Sequence, residues 1–202
     1  MKRMATIITV LAGLALAVAC ADAPVEQINA LDTEMRAART DIVRTYAPEA
    51  LEVAEQAAAE FQQELAAQRE KFVFSRDYEH AVELADIARA EAQAAVKEAG
   101  EAKDLMREQT RAAIDEAHMA VDEAAKELGT APVGKGNRAE LEAMKSELDA
   151  AEATFEEMEQ QLRDEQFQVA KSMAEEARAT AMRISAAVRT ARAMKGAGGR
   201  TT

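Results

Sequence analysis

Tryptophan is absent from this chain, cysteine occurs once, proline three times and histidine twice, and aromatic residues make up 3% of its 202 positions. Each shortage excludes something. A single cysteine leaves no disulfide framework within the chain. Too few aromatic and β-branched residues remain for a strand-rich fold. His80 and His118 lie far apart in sequence with no second cysteine, so they read as solvated helix-face histidines and no metal site is expected. Gly134-Lys135-Gly136 lacks the spacing of a phosphate loop. Ser, His and Asp converge on no turn that could expose a nucleophile. An enzyme is not expected, nor is a cofactor.

Alanine and acid are what the chain has instead. About a quarter of the residues are Ala, a composition of long helices and coiled coils. There are 37 acidic side chains against 25 basic ones. That balance argues against nucleic acid and against simple adsorption to anionic lipid. Alanine seams suit thin, closely spaced helix pairs better than a thick globular core.

The first twenty residues differ from the rest. Lys2 and Arg3 form a basic head, residues 7–16 an apolar run, and Ala17-Val18-Ala19 a small-residue stretch ending at Cys20. This reads as a secretory signal over residues 1–19. The cysteine at its end resembles the lipobox of bacterial lipoproteins, with Ala17 where Leu is more usual. The resemblance implies that Cys20 takes up lipid and that residues 20–23 form a short lipidated N-terminus. Acyl chains contribute ~0.8 kcal/mol per buried methylene, so such anchoring is effectively permanent. Ala21 stands where an Asp would favour inner-membrane retention, which implies the outer membrane, facing the periplasm. Without Lys2 and Arg3, 23 basic side chains remain against 37 acidic ones.

The mature chain reads as all-α. Ile28, Leu31, Met35, Ala38 and Ile42 form one seam. Pro48 interrupts it, and Leu51, Ala54, Ala58, Phe61, Leu65, Gln68 and Phe72 continue it. Phe72 to Tyr78 reads as a tight turn, with Ser75 and Asp77 as caps. Ala81, Ala85, Ala88, Ala92, Ala95, Ala99 and Ala102 open the next seam, and Met106, Ala113, Val121 and Leu128 extend it. Residues 129–136 form a loop, and Asn137 with Glu140 has the form of a capping box. These signals predict helices over residues 24–72 (kinked at Pro48), 77–128 and 138–195, with a flexible tail at 196–202. Around residues 163–167 the register slips, and such a stutter relaxes a coiled coil without ending the helix. The favoured architecture is an elongated antiparallel three-helix bundle or coiled-coil rod, ~75 Å long at 1.5 Å per residue. A rival organisation is a tandem repeat. Tyr78, Ala81, Ala85, Ala88 and Ala92 recur as Phe167, Ala170, Ala174, Ala177 and Ala181, which would put a turn near Asp164.

Tyr46-Ala47-Pro48-Glu49-Ala50-Leu51, followed by Asp77-Tyr78 and by Ala81, Leu84, Ala85 and Ala88, resembles an alanine-rich domain of unknown function in bacterial envelope lipoproteins. The likeness implies an envelope address and supplies no activity.

Two functions fit. One is a non-enzymatic structural spacer or adaptor; the other is a periplasmic carrier or chaperone for lipid or unfolded outer-membrane proteins. In the rod, the Phe72 to Tyr78 turn lies far from the membrane, beside the end of the third helix. Twelve acidic and four basic side chains occupy residues 138–176, whereas all six charges beyond Glu176 are basic. Phe72, Phe74, Tyr78, Arg189, Arg192 and Lys195 are therefore the candidate partner-binding residues. An anionic partner such as peptidoglycan, or an envelope protein, would fit them. Oligomeric state is not legible.

Overall fold

The computed structural model describes residues 23–134 and 137–198, with side chains through Met194. Cys20 and the Lys195 side chain thus lie outside the described residues. The expected all-α helical bundle is what forms, with no strand among the described residues. Its helices are α1 (Val25–Ala38), α2 (Asp41–Tyr46), α3 (Pro48–Glu70), α4 (Glu79–Gly129), α5 (Arg138–Ala153), α6 (Phe155–Arg163) and α7 (Phe167–Gly198); a 3₁₀ turn at Val73–Ser75 precedes α4. The chain divides into two compact units at Ala99–Gly100, and α4 contributes residues to both.

The first expected span, residues 24–72, is not one kinked helix. Arg39 and Glu55 are sixteen residues apart and form an ion pair of 2.9 Å; a continuous helix would hold them ~24 Å apart. The chain reverses between them. Two local signals make the corner. The Thr40 hydroxyl accepts from the Val43 amide at the start of α2, and Pro48 occupies the first turn of α3. Proline is favoured there, because the amide it lacks falls among those with no intrahelical partner. The interior-proline cost expected at Pro48 therefore does not apply.

In the first unit α1, α3 and the beginning of α4 close one core. Leu31, Met35, Val43, Phe61, Leu65 and Tyr78 are buried in it, against Ala81, Ala85, Ala88 and Ala92 of α4. Gln93 donates to Glu34 at 2.9 Å, so α1 and α4 lie side by side; the reversals marked by Arg39–Glu55 and by Gln68–Asp77 set α3 opposed to both.

The second unit repeats this plan. Ile114, Ala117, Val121 and Ala124 of α4 pack against Leu148, Ala151, Phe155 and Met158, and against Ala170, Ala174, Ala177 and Ala181 of α7. The expected third helix over residues 138–195 is corrected here. It is interrupted at Thr154, ends at Arg163, turns through Glu165 at φ 60°, and restarts at Phe167. No glycine makes this turn. Glu165 is held in the left-handed region by Lys103, whose ammonium donates to its carboxylate at 2.6 Å. The Gln166 amide closes back on the Gln161 carbonyl at 2.8 Å. Burying α5 and α6 against α7 outweighs the ~1–2 kcal/mol of a left-handed residue. α7 also continues past Gly196, to Gly198.

Corresponding core places follow constant offsets. Ile28, Met35 and Ala38 match Ile114, Val121 and Ala124; Leu51, Ala54, Ala58 and Phe61 match Leu148, Ala151, Phe155 and Met158; Tyr78, Ala81 and Ala85 match Phe167, Ala170 and Ala174. The tandem organisation, with its turn near Asp164, describes this path. Volume is conserved loosely, because the Phe155 place is filled by Ala58 in the first unit.

Candidate interaction surface

The turn from α3 to α4 is built by hydrogen bonds that leave its aromatic side chains outside. Gln68, on the buried seam of α3, accepts from the Asp77 amide at 3.0 Å and donates to Glu64 at 2.6 Å. Arg76 donates to the Lys71 and Arg69 carbonyls at 3.1 and 2.9 Å. Those carbonyls end α3 and have no helical partner, so a guanidinium suits them in both geometry and charge. The amide and hydroxyl of Ser75 both donate to the Phe72 carbonyl. Asp77 accepts from the Glu79 amide at 3.0 Å and caps α4.

Phe72 and Phe74 are consequently 77% and 83% exposed, with their rings stacked at 5.8 Å and 10°. Val73 between them is half exposed. A chain with five phenylalanines thus spends two on solvent. Exposed apolar clusters of this kind mark contact surfaces. Tyr78 does not join them: it is buried, and it closes the end of the first core. Arg69, Lys71 and Arg76 flank the ring pair, and Arg69 and Lys71 form no ion pair among the described residues.

Arg189 and Arg192 belong to the second unit, where both are bound to α4. Arg189 pairs with Glu127 at 2.9 Å and with Glu123 at 3.2 Å. Arg192 donates to the Glu127 carbonyl at 2.8 Å and to the Thr130 hydroxyl. Further along the same face Arg178 meets Glu116, so α7 runs parallel to this part of α4. The acidic excess of α4 answers the basic end of α7. Aromatic and basic candidates are therefore set in different units.

The Arg189 hydrogen bond holds the Glu127 carboxyl below the ordinary glutamate value. The folded state then binds fewer protons than the unfolded one. The pairing contributes fully above the ordinary glutamate value and is lost as pH falls through the lower folded-state value. Glu127→Gln is expected to flatten the acid dependence of stability in that window, read as denaturant midpoints by circular dichroism. An unchanged slope would show that the pair contributes nothing.

Other features are modest. His118 stacks on Phe155 at 3.5 Å, and His80 lies 3.4 Å from Glu83. No group of three or more His, Cys, Asp or Glu able to hold a metal ion occurs among the described residues. No described helix is long and apolar enough to cross a membrane. Leu128, Val133, Leu141 and Leu148 line an apolar cleft of about 350 Å³. Asn137 does not cap α5 as the capping box predicts. Its side chain accepts from the Gly134 amide at 2.7 Å and donates to the Pro132 carbonyl at 2.8 Å, closing the loop instead.

Sequence reasoning finds the two phenylalanines but not the residues that hold them out. One signal was present, a glutamine at a seam position of α3, because a buried amide needs partners. No family model, curated protein or solved structure matches this chain.

Proposed function

We propose that this chain is a lipoprotein of the bacterial outer membrane, anchored through Cys20 and facing the periplasm, that acts as a structural spacer or adaptor without enzymatic activity. The observation that carries the adaptor reading is the hydrogen-bonded turn that holds Phe72 and Phe74 in solvent. A turn so closely pinned does not bury its rings by collapse, so recognition by an external surface accounts for them. We assign recognition to this turn and not to Arg189 and Arg192, whose charges are met by α4. A carrier would need a wide apolar face. Here the seam alanines Ala81, Ala85, Ala170 and Ala174 are fully buried in closing the helices on one another.

The anchor is tested at Cys20. Wild-type protein is expected to incorporate labelled palmitate and to sediment with outer membranes. Cys20→Ser is expected to take up no label and to remain uncleaved or leave the membrane fraction. Mature-sized Cys20→Ser protein still tightly membrane-bound would refute the anchor.

A further inference from the structure

We propose that the α3–α4 turn contacts the bilayer itself, with Phe72 and Phe74 entering the headgroup region of an anionic membrane and Arg69, Lys71 and Arg76 meeting its phosphates. The orientation of this contact rests on the lipid anchor at Cys20.

Three observations converge on it. The first is position. The reversal between Arg39 and Glu55 returns α3 to the end of the bundle from which α1 started. Gln93, fourteen residues past the first residue of α4, meets Glu34, nine past the first residue of α1, so with the two helices running the same way the first turns of α4 lie at the level where α1 begins. Ala23, the first described residue, packs on the same core. The aromatic turn is therefore at the N-terminal end of the first unit. The sequence expectation that it lies at the far end from the start of the first helix is corrected, because that expectation took residues 24–72 as one helix kinked at Pro48. Cys20 is three residues before Ala23, a reach of at most ~11 Å.

Charge is the second observation. In a chain with twelve more acidic than basic side chains, the segment Arg69 to Arg76 holds three cations and one carboxylate, Glu70. Asp77 follows directly, with its carboxylate engaged at the Glu79 amide; the tip itself, residues 71–76, carries two cations and no carboxylate, and charges beyond ~8–10 Å are screened at physiological salt. The third is size. Two phenylalanines offer roughly 300–500 Å², well under the ~800 Å² that a stable protein partner covers on each side. A bilayer interface needs no matching pocket.

The test uses the full processed chain, purified with its lipid and reconstituted in vesicles of phosphatidylethanolamine and phosphatidylglycerol. With Cys20 blocked by lipid, Val73→Cys provides one free thiol for an environment-sensitive fluorophore. Val53→Cys, at an exposed position within α3, serves as the control. The label at position 73 is expected to shift to the blue and to be quenched by doxyl lipid, whereas the label at 53 is not. Phe72→Ser with Phe74→Ser should reduce quenching at 73 to the level at 53 while the protein still floats with the vesicles. Replacing the anionic lipid by phosphatidylcholine should weaken the quenching. A protein that floats with position 73 unquenched overturns the membrane contact, leaves the anchor standing and assigns the tip to a protein partner. A protein that neither floats nor shows quenching overturns both.

Discussion

Phe61→Ala is expected to destabilise the protein by ~3–5 kcal/mol, the range for removing a fully buried phenylalanine. Phe61 is the largest side chain in the first core with no exposure at all. Around it the α4 seam is alanine, and alanines have no side-chain length with which to fill the void. The site should therefore relax poorly and sit at the upper end of that range. Phe74→Ala provides the internal contrast: it removes the same atoms from an exposed position and should leave the denaturant midpoint almost unmoved. Equal midpoints for the two variants, by circular dichroism, would refute the assignment of Phe61 to a packed core.

The second large effect lies in the turn after α6. Proline holds φ near −65°, and Glu165 needs +60°. Glu165→Pro also removes the amide that donates to the Leu162 carbonyl at 3.3 Å. It further disfavours the near-helical backbone of Asp164, the residue before it. A misplaced proline of this kind costs ~3 kcal/mol or more. Glu165→Asn is the informative companion, since asparagine tolerates the left-handed region while losing the contact to Lys103. It should shift the midpoint far less than proline does. Proline would break a continuous helix as well, so Glu165→Gly separates the two paths: it should be tolerated in a turn with φ 60°, whereas in the continuous helix predicted by periodicity it would cost ~1 kcal/mol.

That continuous helix shows where sequence reading stops. Most of the core seams were legible: Leu31 and Met35, Leu51 to Leu65 and the alanines Ala81 to Ala95 fall on helical spacing and are buried, whereas Ile42 and Phe72, expected on the same seams, are exposed and Val43 takes the core place beside Ile42. So were the α3–α4 turn, with its Asp77 cap, and the loop before α5. These are local properties, because spacing along a helix and the chemistry of a cap act over a few residues. The recurrence of Tyr78 to Ala92 as Phe167 to Ala181 was visible as well, yet in an alanine-rich chain the heptad alone produces similar matches.

The sequence by itself determined that the chain is helical, which face of each helix is apolar, and that two phenylalanines lie on a turn. Only the tertiary structure decided where the chain doubles back. At Arg39 to Pro48 the corner has a threonine cap and a proline to mark it; at Glu165 it has nothing that breaks a helix. In both places the reversal is set by apolar seams finding one another across long stretches of chain, an energy that no local propensity contains. The same reversals gave Arg189 to Glu127, turned Asn137 into a loop clasp, and placed the aromatic turn at the end of the first unit where α1 begins. Register between distant helices sets these contacts, and register becomes defined only when the seams close.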